Sequence, residues 1–147
     1  MQTPVEQATI TAVRNAALML RAGFTSAISF GSTYQIDVAL RDAINAGRII
    51  GPRLLAAGRD LGATASNVDS GGGLSQIADG PWALRKAVRE QRKARVDVVK
   101  IFIDGEAINP INPPGELSFC DEEVAAVVDE AHRRRMRSHV MHVPLPR

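Results

Sequence analysis

The chain has 147 residues, of which 45% are hydrophobic and 23% are charged, enough for one domain with an ordinary core. Lys and Arg total 18 against 16 for Asp and Glu, a balance that does not indicate a nucleic-acid-binding protein. The single cysteine, Cys120, excludes an internal disulfide and is typical of a reducing compartment. No apolar stretch approaches the roughly 20 residues that cross a bilayer, and no signal-peptide pattern opens the chain. We therefore expect a soluble cytoplasmic protein with no nucleic-acid or membrane partner.

Helical and strand patterns alternate from the first residues onward. The apolar spacing predicts helices over residues 4–21, 36–46, 82–94 and 121–135. Strands are predicted at 24–30, 53–58 and 96–105, with a long Gly- and Ser-rich loop over 62–73. This alternation is the signature of α/β units around a parallel sheet.

A lysine stands in the middle of the most apolar strand. If 96–105 is extended, Val99, Ile101 and Ile103 share one face, while Lys100 and Asp104 share the other. The β-branched face suits packing against helices, so Lys100 is expected to point to the opposite side, toward the centre of a closed barrel. A buried lysine either pairs with a carboxylate, reaches solvent at the strand end, or is deprotonated and reactive, for instance toward carbon dioxide. The spacing alone leaves these alternatives open.

The stretch that follows this strand, 104–118, contains three prolines and cannot be regular structure. Loops at the carboxyl ends of parallel barrel strands are where active sites are built, so Asp104, Glu106 and Asn109 are candidate substrate contacts. Carboxylates in loops are more commonly only solvated. The basic residues of the 82–94 helix are likewise expected to form a solvated face.

Four segments together carry a resemblance, at 22–31, 40–69, 78–106 and 118–137. The most specific pieces are GRIIGPRLL, the ADG sequence before the third helix, and VVKIF, and their order matters more than any one of them. The chain resembles the metal-dependent amidohydrolase superfamily, in its imidazolonepropionase-like and prolidase-like branch. That resemblance implies a (β/α)8 barrel with one or two divalent metals, usually zinc, which activate a water to hydrolyse amide-type C–N bonds of a small molecule.

The resemblance also assigns candidate residues. In binuclear members a carboxylated lysine on a barrel strand bridges the metals, and Lys100 falls on that position. Many relatives carry a histidine in the loop that corresponds to 64–69; here Asn67 and Asp69 remain as candidate polar contacts to a substrate.

The resemblance implies a partial barrel of about three to four βα units. The family's small β-sandwich and its His-x-His pair on the first strand would precede this sequence, and the later ligands would follow it. A full barrel needs roughly 250 residues. We therefore expect one partial domain over 1–147 with open sheet edges prone to self-association, and no metal held by the chain alone.

The last residues, 136–147, are expected to be an aberrant tail, because they lose the apolar strand pattern and contain two prolines. Our hypothesis for this tail is a single-base frameshift after Arg137: the family's metal-binding histidine aligns with Met141, and the codons read one base out of frame can spell a His-Ala-Arg continuation like that of the family. His139 and His142 are three residues apart and would face opposite sides of a strand, so we do not expect them to be ligands. Cys120 is expected to be a small residue at a helix start rather than a nucleophile.

Three functional hypotheses remain from the sequence. The first is a fragment of a metal-dependent amidohydrolase. The second is an inactive truncated or frameshifted product, and the third is a small non-catalytic α/β binding module.

Overall fold

The computed structural model describes residues 3–69, 71, 73–105 and 111–141. It contains four helices in these ranges: α1 (Val5–Arg21), α2 (Ile36–Asn45), α3 (Pro81–Lys93) and α4 (Asp121–Arg133). The strands are β1 (Ser26–Ile28), β2 (Arg53–Leu55), β3 (Asp60–Gly62), β4 (Ser75–Ile77), β5 (Val98–Phe102) and β6 (Arg137–Met141). Within the described ranges, no helix has the length and apolar character needed to cross a membrane.

All named strands pair in parallel. One sheet joins β1 to β2, and the other has the order β4-β3-β5-β6. The two sheets are continuous through residue 56, because the carbonyl of Ala56, just after β2, accepts hydrogen bonds from the backbone N–H groups of Asp97 and Val98. The chain from β2 to β3 therefore forms one continuous strand position. Its first part pairs with β1, its second part pairs with β4 and β5, and β6 follows β5.

The core lies on the helix-facing side of the sheet. Val99 and Ile101 are fully buried and belong to one apolar cluster with Leu84 and Val88 of α3 and Val127 of α4. The side of β5 that carries Lys100 faces the concave surface. This confirms the predicted division of the strand into a helix-packing face and a face toward the barrel centre.

Strand formation differs from the sequence prediction in two places. The predicted loop over 62–73 is flanked by β3 and β4, three-residue strands that are too short to show an alternating pattern. The tail residues Arg137–Met141 form a regular strand despite their mixed composition. Backbone pairing with β5 over five residues supplies the hydrogen bonds, so strand formation here does not depend on apolar side chains.

The basic face of α3 is not simply solvated, contrary to the expectation from sequence. Arg89 Nε lies 2.9 Å from the Glu130 carboxylate on α4, and Arg85 lies 2.6 Å from Asp129. Arg134 adds a further contact to Glu130 at 2.7 Å. The hydrogen bond from Arg89, with support from Arg134, lowers the pKa of Glu130 to about 2. These ion pairs join the two helices on the outer layer of the fold.

Replacing Glu130 by Gln is expected to lower the free energy of unfolding at neutral pH by about 1–3 kcal/mol, a range reduced for the solvent exposure of its arginine partners. Because the pKa of Glu130 is depressed in the folded chain, its stabilisation is present above the ordinary value near 4.5 and is lost as the pH falls toward 2. Urea unfolding at pH 7 and at pH 3 measures both effects. Glu6→Gln, at an exposed position in the first turn of α1, is the control. A Glu130→Gln defect that stays constant between the two pH values would contradict this assignment.

Candidate active site

The candidate site is centred on Lys100 in the middle of β5. Its side chain is 7% exposed, and Nζ donates a hydrogen bond to the Phe30 carbonyl at 2.7 Å. Nζ also lies 3.2 Å from Oδ2 of Asp60, at the start of β3. The ring of Phe102, two residues further along β5, has its centroid 4.2 Å from Nζ. Of the alternatives that the sequence left open, the chain as described shows a lysine paired with a carboxylate.

Asp60 is the residue that the sequence reasoning missed. It is 2% exposed, and burial raises the pKa of its carboxyl to about 6, although the Lys100 charge acts in the opposite direction. Oδ1 is buried and accepts no hydrogen bond from the residues that the structure describes. A Cβ on Gly31 would lie 2.6 Å from Oδ1, so a larger residue at position 31 would displace this carboxylate.

The loop that carries Asp60 is held by a second carboxylate. Asp37, in the first turn of α2, accepts hydrogen bonds from the backbone N–H groups of Ala57 and Gly58 at 2.9 and 3.0 Å. These bonds fix the backbone between β2 and β3 and so determine where Asp60 enters the site. The sequence signal available for Asp60 was a charged residue just after a glycine-containing turn. Its pairing with Lys100 could not be predicted, because the two residues are far apart along the chain.

His139 lies beside Lys100 on the neighbouring strand. The two residues are register partners in the β5–β6 pairing, so their side chains emerge on the same face. The His139 ring stacks on the Phe30 ring, with centroids 4.2 Å apart and planes inclined by 23°. His142 lies outside the described residues, and the expectation that neither histidine is a ligand stays a prediction.

Three candidate substrate contacts, Asn67, Asp69 and Asp104, lie on described loops after the strands. The backbone N–H of Asn67 donates to the side chain of Asn112 at 3.3 Å, which joins the loop after β3 to the loop after β5. Asp69 is exposed and accepts a hydrogen bond from the Ala65 backbone. Asp104 is fully buried and forms an antiparallel bridge with Leu117. Glu106 and Asn109 lie outside the described residues.

Cys120 occupies the position before α4. Its backbone N–H donates to the Glu123 carboxylate at 2.9 Å, an arrangement that begins the helix. This placement agrees with the structural role expected from its position ahead of an acidic helix start.

The family model for the amidohydrolase family matches residues 1–143 of this chain. The chain belongs to the amidohydrolase family. Ochratoxinase from Aspergillus niger is 30% identical in an alignment of 145 positions, and the match covers 82% of this amidohydrolase chain and 30% of that protein. The chain therefore spans about a third of the length of this curated relative.

Solved structures show the same architecture. A Xaa-Pro dipeptidase with methionine bound in its active site superposes with a TM-score of 0.89 and 29% identity, over 97% of this chain and 38% of that one. A prolidase complexed with N-methylphosphonate-L-proline gives a TM-score of 0.83 and 28% identity, over 95% of this chain and 37% of that one. The amidohydrolase chain is thus a partial (β/α)8 barrel, which confirms the fold class expected from sequence.

Proposed function

We propose that this chain is the part of an amidohydrolase that carries the metal-bridging lysine. The complete protein would use a divalent metal, which we propose to be zinc, to hydrolyse an amide or peptide-like C–N bond of a small molecule. The observation that carries the proposal is the position of Lys100, which is buried at the centre of a barrel strand and points to the concave face beside Asp60. The dipeptidase and prolidase among the similar proteins support a peptide-like substrate.

The described residues are placed where they could hold a metal, but they supply too few ligands to hold it by themselves. Lys100 and Asp60 place an amine and a buried carboxylate side by side, and the orphaned Oδ1 of Asp60 is a free acceptor for a cation among the described residues. No three His, Cys, Asp or Glu side chains in the described ranges converge to hold an ion. The other ligands therefore have to come from outside these residues. Lys100 in its carboxylated form would hold the metal, which when bound supplies an activated water.

The chain's own residues orient this site. Hydrogen bonds to the Phe30 carbonyl and to Asp60 hold Lys100 Nζ in one position on the concave side of β5. Asn67, Asp69, Asp104 and Glu106 are proposed as contacts to the substrate, because the loops that follow barrel strands surround the mouth of the site.

The test uses the complete protein that contains this chain. It measures zinc content by mass spectrometry, and hydrolysis of N-acyl amino acids and dipeptides with zinc and bicarbonate present. Lys100→Gln is expected to reduce zinc retention and turnover by at least about 100-fold, since even the partners of metal ligands account for about 10–100-fold. Lys86→Gln, at an exposed position on α3, is the matched control. Circular dichroism checks that both variants fold.

Zinc binding that persists in Lys100→Gln would contradict the assigned role of Lys100. Absence of both zinc and turnover from the complete protein would overturn the proposal. Their absence from this chain by itself is expected, and it fits a second candidate for the isolated chain, an inactive truncated or frameshifted product. The lack of three convergent metal-binding side chains among the described residues favours that candidate for the chain by itself. A non-catalytic α/β binding module has no comparable observation in its support.

A further inference from the structure

Asn112, in the loop after β5, is a buried polar residue whose side chain is bonded at both ends. It is 5% exposed. Its Oδ1 accepts hydrogen bonds from the backbone N–H of Asn67 at 3.3 Å and from the Ser118 hydroxyl at 3.1 Å. Its Nδ2 donates to the Glu116 carbonyl at 3.2 Å. A buried amide with both ends bonded holds its partners in fixed relative positions.

The backbone at Asn112 packs directly on the end of β5. A Cβ on Gly105 would overlap the carbonyl oxygens of Asn112 and Pro113, which are backbone atoms and cannot turn aside as a side chain can. The chain then returns to β5, where the Ser118 N–H donates to the Ile103 carbonyl at 2.8 Å. Asn112 is therefore fixed relative to the strand that carries the candidate lysine.

The loop after β3, residues 64–69, is bonded internally and to the segment before α3. The Ala65 N–H donates to the Asp69 carboxylate at 3.0 Å, and the Asp69 N–H donates to the Ser66 carbonyl at 3.0 Å. The Thr64 N–H donates to the Asp79 carboxylate at 2.9 Å. A loop held together in this way moves as one unit, so a bond to any part of it positions the whole loop.

The bond from Asn67 to Asn112 joins this unit to the end of β5. Two of the proposed substrate contacts, Asn67 and Asp69, belong to the loop, whereas Asp104 lies at the end of β5. The bond therefore sets the distance between two groups of substrate contacts on either side of the mouth of the site.

We propose that Asn112 is a positioning residue, which holds the loop after β3 against the lysine strand and so fixes the geometry in which the substrate binds. Asn112 itself acts through Asn67 and does not touch the substrate. The effect on substrate affinity rests on the proposed hydrolysis, but the connection between the two loops is measured without metal or substrate.

Hydrogen exchange of the complete protein, followed by mass spectrometry, tests the connection. Asn112→Leu keeps the approximate size of the side chain and removes its hydrogen bonds. It is expected to accelerate exchange at residues 64–69 by about 3–10-fold, the factor that corresponds to the loss of one ordinary hydrogen bond. Asn112→Ala removes the same bonds without adding an apolar group, and the same acceleration is expected, which keeps the test available if the leucine variant does not fold.

Ser118→Ala is the matched control for hydrogen exchange. It removes the other bond to the same amide oxygen and leaves the bond from Asn67 in place. Exchange at residues 64–69 is expected to stay as in the unmodified protein. Unchanged exchange in both Asn112 variants, or an equal acceleration in Ser118→Ala, would overturn the proposal.

Steady-state kinetics and zinc content of the complete protein test the consequence for the site. Asn112→Leu is expected to raise KM for N-acyl amino acids or dipeptides by about 10-fold and to leave kcat and zinc content unchanged, because the substrate contacts shift while Lys100 stays in place. Asn112→Asp keeps an oxygen that accepts from Asn67 and is expected to retain the ordinary KM.

The outcomes separate this inference from the proposed function. Loss of zinc or of kcat in Asn112→Leu with unchanged KM would place the effect at the metal and would overturn the positioning role. An unchanged KM beside normal turnover would overturn it as well, while the proposed hydrolysis would stand. Absence of turnover from the unmodified complete protein would overturn the proposed function and the effect on affinity, and hydrogen exchange would still decide whether Asn112 joins the two loops.

Discussion

Replacing Asp60 by Asn is expected to lower the free energy of unfolding by about 3 kcal/mol, because it leaves the buried ammonium of Lys100 without its counter-charge. The Phe30 carbonyl still accepts one hydrogen bond from Nζ, but it does not neutralise the charge. Urea unfolding followed by circular dichroism measures the change. Asp121→Asn, at an exposed position in the first turn of α4, is the control.

The double variant Asp60→Asn with Lys100→Met distinguishes the attraction between the two charges from the cost of burying them. Burial raises the pKa of Asp60 although Lys100 is adjacent, which means that the loss of hydration outweighs the attraction between the two charges. Removing both charges should therefore restore the stability lost in Asp60→Asn, or exceed it by about 1 kcal/mol. A double variant that stays clearly less stable than the unmodified chain would contradict this expectation and would indicate that the ion pair itself stabilises the fold.

Truncating Ile101 to Ala is expected to lower the free energy of unfolding by about 2–5 kcal/mol, because Ile101 is fully buried among the side chains of α3 and α4. The loss combines the transfer of buried methyl groups to water with the cavity that remains in the core. The midpoint of urea unfolding measures it. Ile101→Val should cost only about 0.5–1.5 kcal/mol, since it removes a single methylene.

Ile50→Ala provides the control for side-chain truncation. Ile50 is 72% exposed in the turn between α2 and β2, so the same chemical change should have almost no effect there. An Ile101→Ala variant no less stable than Ile50→Ala would place Ile101 outside the core and would contradict the assigned orientation of β5.

The orientation of Lys100 was predictable because it follows from local periodicity. Alternation along a strand assigns Val99 and Ile101 to one face and Lys100 to the other, whatever the neighbouring strands are. The partner of Lys100 was not predictable in the same way. Asp60 is distant in sequence, and a pattern of nearby residues contains no information on which strand lies alongside.

The same distinction explains the errors. Side-chain patterns predicted no strand at Arg137–Met141, but a parallel strand next to β5 is held by backbone hydrogen bonds that do not depend on side-chain polarity. The sequence predicts a solvated face on α3, because the arginines there have no acidic partner on their own side of the helix. Glu130 reaches them from α4, which only the tertiary packing brings close. The α/β fold class could be predicted from the alternation of helices and strands alone. The site could not, because it depends on how those elements are arranged in space.

The stack of Phe30 on His139 has a consequence for the order in which the chain folds. It joins the segment after the first strand to the last described strand, so its formation closes a loop that contains most of the chain. Contacts between residues so far apart in sequence lose the most entropy on closure and form slowly, whereas each strand and its adjacent helix can associate locally. We therefore expect the βα units to assemble first. The ring contact across the concave face, and with it the enclosure of Lys100, would be completed in the final step of folding.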